Sequence, residues 1–404
     1  MVGIYNKLSH IKLTTLTPIH IGAGGDVDWI RGIDYIENGD NIYLLDMQKV
    51  AELVGAGELS SVLAEGNIDT DSQLLQLIGD NLDNVLRCKP FKRPFFISKG
   101  EKTYISSSAP IKSFIRNQLL KVPIIPGTSM KGAIRSILFK HLRDGESDLT
   151  KVFGEFNDGV DFMRFIQIGD AAIEKADTTI LNTKIFNLHK EAHNWIGGWK
   201  HKGGKYGQTD SRYRSTGFNT LYECVGIGAN ADFNITLKGN AMEMIEAYIE
   251  RLKWEGKNRL PRLPYANEKK LLLNSGIVTL FGIINSHTRQ YLDKEIIFFQ
   301  AYPVKRSEEF VNSLQSLYNM IPVESESNVC ILRISAGSGY HAITGDWYIY
   351  SEDHVNNGEW RDIDEMKRMN VSKNSINCHR YKSRKVVECN GRILPMGFVK
   401  LTAL

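Results

Sequence analysis

Cysteine is scarce in this chain and nowhere paired. Its five residues, Cys88, Cys224, Cys330, Cys378 and Cys389, contain no CxxC spacing. That speaks against a zinc ribbon and a disulfide framework, and suits a reducing compartment. The first residues lack a basic region followed by an apolar core, so no signal peptide is expected. Long apolar runs are missing too: the most apolar window, Ser275–Asn285, is too short to span a bilayer and reads as a buried helix. A soluble, cytoplasmic chain with no membrane partner follows as the expectation. No glycine-rich stretch carries the GK[ST] of a P-loop or opens a helix within a βαβ unit, which leaves a dinucleotide site unsupported. No Ser/His/Asp order or Cys/His pair stands out. His189 and His193 lie four apart, but in a glycine-rich segment without a carboxylate at ligand spacing, so neither a metal nor a cofactor is expected.

What is present is an ordinary globular composition: 404 residues, 42% hydrophobic and 24% charged. That length allows two sizeable cores. Fifty Lys+Arg against 46 Asp+Glu leave a net charge of +4, so the distribution of charge matters more than its sum. Strand alternation appears in "HIKLTTLTPIHIG", "NIYLLD", "RFIQIGDAAI", "TTILNTKIFNL" and "NTLYECVGIGANADFNITL", and again in "NVCILRIS", "YKSRKVVEC" and "GFVKLTAL". Helical spacing predicts helices in "MQKVAELVGAG", "SQLLQLIGDNLDNVL", "APIKSFIRNQLL", "AMEMIEAYIERLKW" and "SEEFVNSLQSLYNM", and one long helix in "EKKLLLNSGIVTLFGIINSHTRQYL". In "TSMKGAIRSILFKHLRDG", Thr128 or Ser129 is the expected N-cap and Gly145 the stop. Strands at both ends with helices between predict an α+β fold, read as two ferredoxin-like domains over 1–225 and 226–404 that hint at a diverged duplication.

Two loops share one design: strand, glycines, nearby histidine. "TPIHIGAGGDVDW" carries His20, Gly22, Gly24 and Gly25; "ISAGSGYHAITGDW" carries Gly337, Ser338, Gly339, Tyr340 and His341. Such loops suit main-chain phosphate contacts, although a lone glycine loop is more often a tight turn. "IPGTSMKGAIRS" offers Ser129, Lys131 and Arg135 at a helix start, either an anion site or a plain capped surface helix. The segment 189–214 holds six Lys/Arg, five glycines and four Trp/Tyr, and reads as a loop or long hairpin outside the core. The tail from His379 to Lys400 carries six Lys/Arg against Glu388. Basic groups interleaved with aromatics point to nucleic acid rather than a merely solvated face. His20 or His341 as a general base, or Asp34 as a metal-binding acid, would make the chain a ribonuclease; packing or turn roles are the safer readings for each.

Together "TPIHIGAGG", "IPGTSMKGAIRS", "IGDAAI", "GSGYHAITGDW" and "RKVVECNGRILPMGFVKL" resemble the RAMP superfamily of CRISPR proteins, over Thr15 to Leu401. Within it, the order of motifs and the terminal "PMGFVKL" are most similar to the family of fifth subunits of type III-A Csm effector complexes. The resemblance implies two RRM-like domains with helical insertions and a non-catalytic subunit of antiviral defence that caps the crRNA 3′ end and supports its maturation. It implies that His20, Gly22, Gly24 and Gly25 form a first RNA loop, that Ser129, Lys131 and Arg135 supply a basic helix start, and that Gly337, Ser338, Gly339, Tyr340 and His341 form a second. Implied partners are crRNA, target RNA near the guide 3′ end, the backbone RAMP subunit, other Csm subunits and host nucleases. Asp34 falls where the backbone subunit carries its cutting aspartate, and 189–214 resembles a thumb-like hairpin wedged into the guide–target duplex. A RAMP subunit of another type III subtype is a further reading.

Overall fold

A computed structural model describes residues 5–404 apart from 66–69, 99–100, 106–108, 145, 147, 175–177, 192–193, 202–208, 214–218, 302, 325, 340–341, 343–382 and 390–391. The chain opens with β1 (Tyr5–Thr15) and enters an insertion made of β2 (Tyr35–Asn38), β3 (Asn41–Leu44), the helices α1 (Met47–Val54), α2 (Ala56–Glu65) and α3 (Thr70–Ile78), then β4 (Phe91–Lys92), β5 (Phe95–Ser98) and β6 (Glu101–Tyr104). After β7 (Ile124–Ile125) come α4 (Gly127–Leu142), α5 (Leu149–Phe153), β8 (Ile166–Ile168) and β9 (Ala171–Ala172). A run of strands follows: β10 (Thr178–Glu191), β11 (Asn194–Lys200), β12 (Thr209–Asp210), β13 (Thr220–Val225) and β14 (Asn230–Gly239). Four helices, α6 (Ala241–Trp254), α7 (Ala266–Ser275), α8 (Ile277–Ala301) and α9 (Ser307–Asn319), lead to β15 (Val329–Arg333), β16 (Ser383–Cys389), β17 (Arg392–Pro395) and β18 (Phe398–Ala403).

Among the described residues two large antiparallel sheets carry the fold, which is α+β as the sequence predicts. The first runs β15-β18-β1-β14-β9-β7, with β8 also on β14; the second runs β12-β11-β10-β16-β17, with β13 also on β10. Strands from both sides of residue 225 alternate in the first sheet, since β1 pairs with β14 and with β18. Strict alternation explains β14: Ala231, Phe233, Ile235 and Leu237 are buried while their neighbours face outward. Those residues, with Ile11 and Leu13 of β1, pack against Ile134 and Leu138 of α4 and Leu280, Phe281 and Ile284 of α8. The same helix supplies Leu292, Ile296 and Phe299 to a second core with α9 and the second sheet. One helix thus ties both cores together.

Four expectations need correction. "APIKSFIRNQLL" forms no helix: Ile111 exchanges backbone hydrogen bonds with Trp29, Lys112 bonds Leu221 and Glu223, and Ile115 bonds Ile21. Neighbouring strand edges supply partners that outweigh a chance helical spacing. The long helix expected over Glu268–Leu292 is two, α7 and α8, bent by 115° at Gly276, whose φ of +96° ends α7. Part of 189–214 is core, because Trp199 is 1% exposed and packs against Phe186 and Tyr213. The N-cap of α4 is Pro126, not Thr128 or Ser129; the expected stop, Gly145, lies outside the described residues. Among the described residues no single helix is long and apolar enough to cross a membrane.

Among the described residues one buried amine has no hydrogen-bond partner. Lys269 on α7 is 0% exposed, its Nζ has no hydrogen-bond partner and sits 5.6 Å over the Phe162 ring. Burial pulls its pKa down to about 8, with Asp161 and Glu268 opposing. Below that pH the amine must be buried charged, and a folded-state pKa below the ordinary value means folding is penalised there. Lys269→Met is therefore expected to raise stability by about 1–3 kcal/mol at neutral pH. The gap between variant and wild type should narrow as pH rises from about 8 towards 10.5. Denaturant titrations of both proteins across that range check this; a gap that stays constant refutes it.

Candidate nucleic-acid interface

β18 lies between β1 and β15 and is antiparallel to both. The loops that leave β1 and β15 therefore emerge at the same sheet edge, beside the turn that enters β18. Hydrogen bonds stitch these three segments together. The His20 N–H donates to Ser335 Oγ at 2.9 Å, and the Ala336 N–H donates to the His20 carbonyl at 2.9 Å. The Gly397 N–H donates to Pro18 O at 3.0 Å, and the Ile334 N–H to Gly397 O at 2.7 Å. The Thr17 hydroxyl accepts from the Phe398 N–H at 2.9 Å. Two loops more than 300 residues apart in sequence thus share one scaffold.

Gly397 of the "PMGF" signature makes this approach possible. Its φ is +91°, and a Cβ there would lie 1.7 Å from Ile334 O and 2.7 Å from Ser335 Cβ. Arg333 anchors the second loop from beneath: Nε donates to Met396 O at 3.0 Å, and Nη2 to Gly337 O at 3.2 Å. Its guanidinium also bonds Tyr291 and lies 4.9 Å over the Phe398 ring.

The first loop is built on a buried polar cluster. His20 is 2% exposed and stacks on Tyr222 with 4.4 Å between centroids. Its Nδ1 lies 2.7 Å from Glu223 O; a carbonyl only accepts, which assigns the proton to Nδ1. Burial lowers the imidazole pKa, against the pull of Glu223 and Asp28, so the ring is neutral at physiological pH. The Glu223 carboxylate accepts from the Phe114 N–H at 2.8 Å and the Thr178 hydroxyl at 2.7 Å, and pairs with Arg116. Sequence reading missed Glu223 and Arg116: one sits inside an apolar strand, the other in the supposed helix. A strand acid at an inward position is the signal that was there to find.

The predicted residues fall into three groups. Gly22, Gly24 and Gly25 are exposed, and a Cβ on Gly24 or Gly25 would meet nothing within 4 Å, so this loop tip is open to a ligand. Gly339 is exposed as well, while Ser338 is buried with its hydroxyl donating to Ser335 O at 2.8 Å. His20 and Ser338 are thus turned inward, where they brace the loops rather than face solvent. Tyr340 and His341 lie outside the described residues, as do parts of 189–214 and of the basic tail.

Helix α4 forms the third group. The Gly127 N–H donates to Asp170 Oδ1 at 2.7 Å, so the "IGD" acid already meets the positive end of the helix. A Cβ at Gly127 would lie 2.1 Å from Ile168 O, which explains the glycine by close packing on the turn between β8 and β9. Ser129 and Lys131 are half-buried; burial lowers the Lys131 pKa, with Asp161 opposing. Arg135 lies 5.3 Å over the Phe153 ring. The segment 111–125, which turns back on itself at Asn117–Lys121, links this helix to the first loop. Asp34 accepts from the Ile30 N–H at 2.9 Å and pairs with Arg87 at 3.3 Å, closing a turn. Among the described residues no group of three His, Cys, Asp or Glu is arranged to hold a metal ion.

An α+β scaffold that gathers strand-end glycine loops onto one edge defines the class of protein. Residues 12–314 match the model of the RAMP superfamily, and the chain belongs to that superfamily. It is 26% identical to the CRISPR system Cms endoribonuclease Csm3 of Enterococcus italicus over 164 residues, 38% of this chain and 69% of that protein. Its fold is similar to a chain in the cryo-EM structure of a Csm–crRNA–target RNA ternary complex of a type III-A CRISPR–Cas system (TM-score 0.56, 18% identity), covering 98% of this chain and 100% of that one. It is also similar to the crystal structure of T. onnurineus Csm5 (TM-score 0.55, 15% identity), covering 96% and 99%.

The scaffold reading predicts a sharp contrast between glycines. Gly397→Ala is expected to destabilise the chain by about 3 kcal/mol or more, through backbone overlap and a strained φ. Gly25→Ala should stay within about 0.5 kcal/mol. Thermal melting of both variants tests this; a mild Gly397→Ala would sink the argument.

Proposed function

We propose that this chain is a non-catalytic crRNA-binding subunit of a type III-A Csm effector complex, capping the crRNA 3′ end and supporting crRNA maturation. The observation that carries the reading is the hydrogen-bonded union of the two glycine loops through His20 and Ser335. It supplies an exposed main-chain surface at Gly22–Gly25 held rigid from below. Such a surface grips phosphate and shape rather than base sequence, which guide–target pairing reads instead. End-to-end similarity in fold to T. onnurineus Csm5 and to a Csm complex chain supports the same assignment. On this reading its partners are crRNA, target RNA near the guide 3′ end, the backbone RAMP subunit and other Csm subunits.

A second reading, an endoribonuclease, is favoured by the 26% identity to a protein named for that activity. Against it stands the occupation of the Asp34 carboxylate by Arg87 and the Ile30 amide, and the burial of His20, whose Nδ1 is engaged by the Glu223 carbonyl.

The test is a single incubation of the purified chain with labelled crRNA-like RNA, with and without Mg²⁺, scoring binding and cleavage together. Binding without cleavage is expected, weakening roughly tenfold or more as salt rises from about 50 to 200 mM. Lys131→Ala/Arg135→Ala should weaken it by about 3–10-fold. Cleavage abolished by Asp34→Ala would transfer the assignment to the nuclease.

A further inference from the structure

The second sheet meets the loop interface through a column of side chains. On β10, Ile185 pairs with Lys385 of β16 and Leu181 with Tyr222 of β13. Positions 181 and 185 share one face of the strand, so Lys385 and Tyr222 project from the same side of the sheet. Lys385 Nζ donates to the Tyr222 hydroxyl at 2.6 Å and lies 4.9 Å from the centroid of that ring. The same ring stacks on His20, whose Nε2 would lie 3.5 Å from a Cβ on Gly22. At the other end, a Cβ on Gly337 would lie 3.1 Å from Lys385 Cδ. The column thus runs from the first glycine loop to the second, with the Lys385 stem packed against Gly337.

Other cations near this junction are occupied by protein groups. Lys112 pairs with Asp28 and Arg116 with Glu223. Arg333 donates to the carbonyls of Met396 and Gly337 and bonds Tyr291. Lys385 differs. It is half-buried, and its only polar contacts among the described residues are the Tyr222 hydroxyl and ring, with no carboxylate at ion-pair distance. A cation drawn partly out of water without an anion is costly to keep, and a bound anion removes that cost. The loops on either side are open as well: Gly24, Gly25 and Gly339 are exposed, and a Cβ on any of the three would meet nothing within 4 Å.

We propose that Lys385 is the phosphate-binding cation between the two glycine loops, holding one phosphodiester of the bound RNA strand. The inference rests on the RNA-binding reading above and assigns a charge that the glycines cannot supply. A phosphodiester carries its negative charge on small exposed oxygens, and the strand on either side of it continues onto the open loops. An ammonium has three protons: one is held by Tyr222, which fixes the direction of the other two towards the ligand.

The experiment measures binding of the full chain to a crRNA-like oligonucleotide by fluorescence anisotropy across a salt series. The RNA is either unmodified or carries an uncharged methylphosphonate at one linkage at a time. Wild type, Lys385→Gln and Lys385→Arg are compared, with thermal melting as the fold control. Lys385→Gln is expected to weaken binding about 3–10-fold at low salt and to lower the slope of log affinity against log salt by about 0.7, the share of one phosphate contact to a single strand. One linkage should exist whose neutralisation weakens wild type by a similar factor and leaves Lys385→Gln unaffected. Lys385→Arg should restore the slope. Wild-type affinity and slope in Lys385→Gln overturn the proposal while leaving RNA binding by the chain intact. So does a Lys385→Gln protein that responds to every linkage as wild type does, since a purely structural role predicts that result. Lys385→Met, which keeps the stem against Gly337, carries the same comparison if the glutamine variant melts early. A wild type that binds no RNA at any salt removes the RNA-binding reading itself, and this inference with it.

Discussion

The rest of this structure depends on one strand insertion. The last strand, Phe398–Ala403, pairs with the first strand on one side and with Val329–Arg333 on the other. Closing a contact between residues nearly 390 positions apart costs chain entropy, but that cost grows only slowly with loop length, and the burial of Val399 and Leu401 on the first core and Phe398 on the second offsets it. Because the strand is antiparallel to both neighbours, it sets where two distant loops leave the sheet. The candidate interface follows from that geometry.

Around this insertion, polar groups are buried where they hold distant segments in place. Arg333 reaches the Gly337 carbonyl and the turn before the last strand. Arg384 donates twice to Glu295 at 2.8 Å, tying the second sheet to α8. Glu223 gathers Arg116, Thr178 and the Phe114 amide beneath the first loop. Each is a fully engaged network, in contrast to Lys269, and breaking one partner would strand a buried charge. A rigid base with an open glycine tip suits a protein that grips a backbone by shape.

Much of the secondary structure was legible. β14 alternates strictly, and α6 and α9 carry apolar residues at helical spacing, so local pattern and tertiary burial agree. Residues 109–120 mislead because isoleucines at helical spacing also fit an extended segment, and only the neighbouring edges of Trp29, Ile21 and Leu221 decide between the two. The charge and glycines of 189–214 point to a loop or hairpin outside the core. Yet Gly197 and Gly198 are small because Val304, Tyr213 and Asp210 press against them.

The sequence by itself determined the α+β class, the two glycine loops and the basic helix start, since each is written in contiguous residues whose spacing has local physical meaning. Only the tertiary structure decided which of those residues face outward. It turned His20 and Ser338 inward, closed the start of α4 with Asp170, and left Gly22–Gly25 open. Strand register and long-range closure set these outcomes, and neither has a signature within any one stretch of chain.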